Sequence, residues 1–500
     1  MSAARDRLER LLQQQHRLTR NPANEPLNLM GRKTTLGVQV VSKLPRKSPE
    51  HPMLASLTLP TQRRIATYVA SRYFQSLSQQ YTAGAFSVRL SNGTWILSKP
   101  NPDFTLVIND PGALKKLFDS PDELTLGEMY IARNLEVEGD LEAALRFGEW
   151  LMSRTPKPRQ AVDLQRLTLL LPASKPVVSS RDLELYGDLH SRERDSFAIA
   201  RHYDISNDFY ALWLDPYMVY SAAYFESPEG DLDIAQVRKL DYICRKLRLR
   251  PGDRFLDIGC GWGGLVRYAA SHYGVNALGI TLSVNQAQLA RERISAAGLN
   301  DRCAVRVCDY RDIDGRGVYD KIASIGMVEH VGESMLELYF RQAYQLLRPG
   351  GIFLNSGISA SATHKRKGRS FIDKYVFPDG ELVPLYNAIQ HVEVSGLQVQ
   401  DVEEMREHYA ITLDRWVDRL EQRACEARRL VGEVTYRTWK LYMAASAHGF
   451  RTGRIHLYHM LLNKPDSGAG YHPLGRWDWY NGIRPRDEEF PSPRNLSRVA

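Results

Sequence analysis

Cysteine is scarce: five stand among 500 residues (Cys244, Cys260, Cys303, Cys308 and Cys425), and no two form a C-x-x-C pair. An odd, scattered set provides neither a disulfide framework nor a zinc module, and a reducing cytoplasm is the compartment it suits. No apolar run approaches the roughly 18 residues of a spanning helix, and the N-terminus lacks the apolar core of a secretory signal. Any membrane is therefore expected to be met from its surface. Internal repeats are also missing. Hydrophobic residues at 43% and charged residues at 25% exclude a disordered chain and describe a globular one, long enough for two to four domains.

Charge of one sign is in modest excess, with 66 Lys/Arg against 58 Asp/Glu for a formal +8. That balance admits nucleic acid, an anionic membrane or an acidic substrate, and its distribution is more telling. Residues 1–50 hold ten Lys/Arg against four acids, and residues 365–374 hold Lys365, Arg366, Lys367, Arg369 and Lys374 against Asp373 alone. The rest is close to neutral. Two basic patches fit local contact with an anionic membrane better than a nucleic-acid groove; each also reads simply as a solvated tail or loop. Leu8, Leu11, Leu12 and Leu18 give the first twenty residues an amphipathic pattern, and the stretch after them reads as a linker.

Past a basic tail over 1–55, a small α+β domain is expected over 60–155. It has helices over 62–79, 113–118, 126–133 and 141–153, and strands over 86–90, 94–98 and 104–108, with Asn92-Gly93 as a hairpin turn. Its apolar positions suit a plain core or a lipid-accommodating interior. Pro156, Pro158, Pro172 and Pro176 mark a boundary, with a linker carrying a helical segment over 156–200. From Asp253 strands alternate with helices: strands over 254–258, 276–280, 304–307, 321–324 and 352–355. This rhythm predicts an α/β, Rossmann-like domain over 201–465, with a mostly parallel sheet, helical insertions and ligand at the carboxyl ends of the strands. Trp416, Trp439, Tyr442 and Tyr458 are expected on helices, as core or as tunnel walls. Trp477, Trp479 and Tyr480 fall in a tail over 466–500 and suit docking on the domain or anchoring at an interface.

The strongest motif is Leu256-Asp257-Ile258-Gly259-Cys260-Gly261-Trp262-Gly263-Gly264, at a strand-to-helix junction. Its glycines permit a tight turn and close approach of a ligand. Asp257 would attract a cationic amino or sulfonium group and repel a pyrophosphate. No acid closes the second strand, where a nicotinamide fold holds a ribose hydroxyl. Asp309-Tyr310-Arg311-Asp312 offers a polar and aromatic seat for adenine. These features favour S-adenosylmethionine over a nicotinamide cofactor.

Several further motifs follow in order: His202-Tyr203-Asp204, Tyr220-Ser221-Ala222-Ala223-Tyr224-Phe225, Gly279-Ile280-Thr281-Leu282-Ser283 with Gln286, Gly326-Met327-Val328-Glu329-His330-Val331-Gly332, and Lys374-Tyr375-Val376-Phe377-Pro378. Their order resembles the cyclopropane-fatty-acyl-phospholipid synthases, over about 201–464 and more loosely over the N-terminal domain. The resemblance implies methyl transfer from S-adenosylmethionine to a cis double bond in a phospholipid acyl chain, by a protein peripheral to an anionic membrane and forming a homodimer. It implies cofactor contacts at Tyr220, Ser221, Asp257, Gly259, Gly261, Gly263, Thr281, Leu282, Gln286, Tyr310 and Arg311. No metal is implied.

In that family a bound bicarbonate removes the proton that lets the ring close. The resemblance maps its glutamate to Glu329 and its tyrosine to Tyr409, whereas two cysteines and a histidine are replaced by Ala222, Ser446 and Ser356. The candidate catalytic set is therefore Glu329, Tyr409, Ser356 and Ser446, with a cyclopropane, methylene or methyl-branched product. Bland readings stand beside it: Glu329 as a helix cap, His330 as a packed histidine, Tyr409 as helix core and Cys260 as a small side chain in a turn. Two rival functions use the same residues, an amine methyltransferase and a catalytically silent lipid-binding protein.

Overall fold

The computed structural model describes residues 59–119, 122–172, 187–363, 370–466 and 475–480. The tail over 1–55, the basic positions Lys365, Arg366, Lys367 and Arg369 and most of the segment 466–500 lie outside the described residues.

Alternation of apolar and polar residues builds a first, four-stranded sheet from β1 (Phe86–Leu90), β2 (Trp95–Leu97), β3 (Phe104–Ile108) and β4 (Leu135–Gly139), in the order β2-β1-β3-β4. The β1–β3 pair is parallel and the others antiparallel. Gly93, at φ +86°, turns β1 into β2 as the Asn-Gly pair predicts. Tyr81, Phe86, Phe104 and Phe147 fill the interior, the rings of Phe86 and Phe147 lying 4.3 Å apart, so a packed side-chain core occupies this layer. Strand β4 differs from expectation: two of its five residues are glutamates, and it forms because β3 offers it an edge. The helical segment expected within 156–200 starts at Pro158, as the helix Pro158–Leu170, since proline at the first helical position gives up no hydrogen bond.

The second sheet has seven strands: β5 (Arg254–Ile258), β6 (Asn276–Thr281), β7 (Cys303–Val307), β8 (Tyr319–Ile325), β9 (Leu347–Ala360), β10 (Gln398–Glu404) and β11 (Ile455–Asn463). Their order is β10-β11-β9-β8-β5-β6-β7. All neighbours are parallel except β11, which runs antiparallel between β9 and β10. Strand β5 is buried along four of its five residues, as a central parallel strand must be. The chain leaves it in both directions, to β6 and β7 on one side and to β8 and β9 on the other. That reversal opens a crevice at the carboxyl ends of β5 and β8. Tyr458 lies on β11 and not on a helix. Its alternating neighbours mark a strand that pairs with residues a hundred positions earlier.

The helices Arg406–Gln422 and Ala424–Arg451 carry Trp416, Trp439 and Tyr442 into the core beside the crevice. They also join the two sheets: the Arg437 guanidinium donates to the Tyr130 carbonyl at 2.8 Å and pairs with Glu136. Close by, the Glu128 carboxylate takes the ammonium groups of Lys116 and Lys374. Burial pushes that carboxyl up, but the two lysines outweigh it and hold it below the usual range. Of the C-terminal aromatics, Trp479 is buried, with Arg245 donating to its carbonyl and the guanidinium of Arg248 5.3 Å from its ring; Trp477 and Tyr480 remain exposed. No described helix is long and apolar enough to cross a membrane.

Candidate active site

Strand β5 delivers the chain into a turn that only glycine accommodates. Gly259 has φ +82°, and a Cβ there would stand 3.0 Å from the Met327 side chain. The turn thus lays bare backbone along the floor of a cleft of about 1120 Å³, counting its open mouth. Gly259 and Gly261 line the cleft, but Gly263 does not. Its φ of +77° starts the helix Gly264–Tyr273, and a Cβ there would meet Ala290 at 3.1 Å, so it serves helix packing.

Asp257, at the end of β5, faces the same space. Burial pushes its carboxyl up to about 7, opposed by the Lys239 ammonium. Lys239 comes from the helix Leu232–Lys246 and donates to Ser221 Oγ at 2.8 Å. Burial lowers its pKa, with Asp215 and Asp257 acting against that. The Asp215 oxygens accept the backbone N–H groups of Tyr217 and Val219, both at 2.8 Å. Lys239 had no signal in the sequence beyond a lysine within an apolar helical pattern.

The second strand contributes Thr281, Leu282 and Gln286. Thr281 Oγ1 donates to Gln286 Oε1 at 2.7 Å, and the Ser283 hydroxyl accepts the Gln286 N–H to cap the next helix. Tyr310 and Arg311 line the cleft after β7. The Arg311 guanidinium, however, is spent on protein: on Asp309, on Asp195 at 3.0 Å and on the His190 carbonyl at 2.9 Å. Asp195, Ile199 and Tyr203 stand at helical spacing on Arg192–Tyr203 and line the cleft from above. Arg311 therefore ties this covering helix down.

Beside the cleft lies the buried carboxylate of Glu329, in the short helix Val328–Val331. Its Oε1 accepts the Ile358 backbone N–H at 2.6 Å, and its Oε2 is buried without a partner. Glu329 is not the N-cap of this helix, which is Met327, and its carboxylate reaches across to β9. Burial pushes this carboxyl up to about 7, with nearby backbone N–H groups opposing. Burial, then Tyr442 and then the Glu329 charge raise the phenol of Tyr203, while for Tyr442, pushed up to about 12, Glu329 adds to burial against the Tyr220 hydrogen bond. Tyr409, raised by burial and then by Tyr442, also feels Glu329. The structure thus places Glu329 and Tyr409 in one electrostatic group with Tyr203 and Tyr442, which the sequence marks only as part of a family motif and as a core or tunnel aromatic, respectively. Tyr220 joins them, its hydroxyl donating to that of Tyr442 at 3.4 Å.

His330 lines the cleft, and burial pushes it down to about 4, so it is neutral near pH 7. Ala222, Ser356 and Ser446 are buried but do not line the cleft; Ser356 lies opposite His459 in the β9–β11 ladder. Cys260 is buried, and desolvation raises its thiol well above the usual value, which makes it a poor nucleophile. The glycine cradle, the open carboxylate of Asp257 and the adjoining Tyr310 ring fit S-adenosylmethionine, with its cationic amino-acid end and flat adenine.

Comparison with known proteins agrees with this geometry. Residues 190–460 match the family model described as mycolic acid cyclopropane synthetase. The chain is 40% identical over 399 residues to a probable fatty acid methyltransferase of Pseudomonas putida, covering 79% of this chain and 95% of that protein. It is 36% identical over 277 residues to the cyclopropane-fatty-acyl-phospholipid synthase of Escherichia coli K12, covering 55% and 70%. Among solved structures, the mycolic acid cyclopropane synthase CmaA1, complexed with SAH and CTAB, superposes with a TM-score of 0.51 at 32% identity, covering 54% of this chain and 98% of that one.

Proposed function

The chain belongs to the mycolic acid cyclopropane synthetase family and is an S-adenosylmethionine-dependent methyltransferase acting on lipid acyl chains; from that premise we propose that its substrate is the cis double bond of an unsaturated phospholipid acyl chain. Bound S-adenosylmethionine supplies an electrophilic methyl carbon on a positively charged sulfur.

The protein's part is to align a weak nucleophile and to exclude water. Tyr203 and Tyr220 line the cleft, with Tyr442 hydrogen-bonded to Tyr220 and Phe377 packed on Tyr442 behind them, and such ring faces favour a nearby cation. The alkene π pair forms the new carbon–carbon bond, which leaves a cation on the neighbouring chain carbon. Discharging it requires loss of a proton. Glu329 is the group to receive it, and the observation that carries this reading is its second carboxylate oxygen, buried without a partner, on a carboxylate whose charge raises the phenols of Tyr203, Tyr409 and Tyr442. Loss from the transferred methyl closes a cyclopropane. Loss from a chain carbon leaves a methyl-branched alkene, and a hydride shift before loss from the methyl leaves a methylene.

With Ala222, Ser356 and Ser446 where the family carries two cysteines and a histidine, the groups that would hold a bicarbonate are reduced to Glu329 and Tyr409. We therefore read Glu329 as acting without it. Peripheral contact through the basic residues of 1–50 and through Lys365, Arg366, Lys367 and Arg369, with Lys374 held by Glu128, brings the enzyme to an anionic bilayer.

The test is product identification by mass spectrometry, using labelled cofactor and vesicles of a defined unsaturated phospholipid, with and without bicarbonate. The expected result is an acyl chain heavier by one CH2 at an undiminished rate without bicarbonate. No labelled lipid would overturn the substrate, and bicarbonate dependence would overturn the role given to Glu329.

A further inference from the structure

The charges around the first sheet are divided. Four acids, Glu128, Glu136, Glu142 and Glu149, are spent on Lys374, Arg437, Arg451 and His448 of the part built on the second sheet. Basic side chains collect elsewhere, on the helices Leu59–Ser78 and Pro158–Leu170. The first of these contains no acid, and the second only Asp163, which is buried and accepts both bonds of the Arg72 guanidinium, at 3.0 and 3.1 Å. That pair and the Gln160 amide, which donates to Ser76 Oγ at 3.0 Å, hold the two helices side by side. Arg64, Tyr68 and Arg72 recur every fourth residue on one helix, and Arg159, Val162, Arg166 and Leu169 follow at spacings of three and four on the other, so each set forms a stripe. Arg64, Arg159 and Arg166 are exposed and form no ion pair among the described residues. Tyr68 is 64% exposed beside them, and Val162 and Leu169 are each 46% exposed.

We infer that the outer face of these two helices docks on an anionic lipid bilayer, Arg64, Arg159 and Arg166 meeting lipid phosphates while Tyr68, Val162 and Leu169 enter the boundary between headgroups and acyl chains. The inference rests on the reading above that the substrate is a membrane phospholipid. A surface that alternates cations with apolar side chains and carries no unpaired acid matches an interface with negative charge outside and hydrocarbon beneath. A second copy of the chain is a poor occupant, because two such faces would set arginines against arginines. A nucleic-acid backbone would take the cations and leave Val162 and Leu169 with nothing apolar to cover them. The face is distinct from the basic residues of 1–50 and 365–369, and it gives the first sheet and its helices a task of their own, the attachment of the catalytic part to the bilayer.

The test uses the full chain and vesicles of phosphatidylglycerol, with vesicles of phosphatidylcholine for comparison. On the unmodified protein, phosphatidylglycerol vesicles should slow the reaction of Arg64, Arg159 and Arg166 with phenylglyoxal by at least about fivefold, read by peptide mapping, and phosphatidylcholine vesicles should not. A protein carrying Arg64→Gln, Arg159→Gln and Arg166→Gln should bind phosphatidylglycerol vesicles at least roughly tenfold more weakly in sedimentation, and one carrying Val162→Ser and Leu169→Ser several-fold more weakly. Both should keep their affinity for S-adenosylhomocysteine within about twofold, since none of these residues lines the cleft. Unchanged labelling of the three arginines at a vesicle concentration that binds the protein would overturn the face, and this decides the matter even if a variant does not fold. So would either variant that binds vesicles as the unmodified protein does: the first result would assign the attraction to the other basic segments, and the second would leave a contact with anions alone in place of a bilayer. Methylated lipid without protection of these arginines would remove the face and leave the acyl-chain substrate standing, and protection without methylated lipid would do the reverse.

Discussion

Glu329 accepts the backbone N–H of Ile358 at 2.6 Å through one carboxylate oxygen and buries the other without a partner. The bond to β9 fixes the orientation of the carboxylate, and the empty side gives it proton-accepting capacity. Its pKa of about 7 places the anionic form within reach of neutral pH.

The turnover rate should therefore rise with pH through about 7 as Glu329 ionises. Glu329→Gln should lower kcat by at least roughly 10²-fold while S-adenosylhomocysteine affinity stays within a few-fold. Rate profiles and calorimetry of both proteins check this; a variant with an unchanged rate and rising limb would remove Glu329 from the chemistry.

The same burial makes a stability prediction of definite sign. The folded-state pKa of Glu329 lies above its unfolded value, so between about 4.5 and 7 the folded state holds more proton, and this group's contribution falls as pH rises. Glu329→Gln should accordingly be more stable than the unmodified protein at pH 8, by on the order of 1–3 kcal/mol, with the difference vanishing below about pH 5. Denaturant unfolding at the two pH values measures it.

Gly259→Ala should abolish useful cofactor affinity, a loss of at least about tenfold, and destabilise the chain by about 1–2 kcal/mol. Its φ of +82° and the 3.0 Å approach of Met327 both oppose a Cβ. Calorimetry and thermal unfolding report the two effects separately.

Arg311→Met should loosen the helix Arg192–Tyr203 without removing a cofactor contact, since the guanidinium is committed to Asp195, Asp309 and the His190 carbonyl. Amide exchange over residues 192–203 should quicken by roughly tenfold, as for loss of about 1.4 kcal/mol of local stability. Exchange that is unchanged there would show that the helix is held by packing alone.

Alkylation of the native protein should label Cys425, which is exposed, and spare Cys260, which is buried with a raised thiol pKa. Cys260→Ser should keep kcat within about twofold, because a residue in a packed turn carries no chemistry. Peptide mapping after brief iodoacetamide treatment checks the first statement and steady-state kinetics the second.

What the sequence determined by itself is local. The alternation of strands and helices and the glycines after Ile258 specify a parallel sheet with a ligand turn, because backbone period and positive φ are properties of a few consecutive residues. Asp257, Gly259 and Tyr310 could be named for that reason, and Thr281 and Gln286 through the family resemblance, all at or shortly after a strand end.

What only the tertiary structure decided is which charges remain unpaired. Lys239 reaches Ser221 from a helix eighteen positions later, Arg311 spends itself on Asp195 116 positions away, and Glu329 finds Ile358 on another strand. Strand β11 pairs with β9 and β10, and its Tyr458 lies opposite Gly357, 101 positions earlier, and Glu404, 54 positions earlier. Each of these outcomes depends on burial and on distances set by the packing of separate elements, and desolvation has no counterpart in residue order.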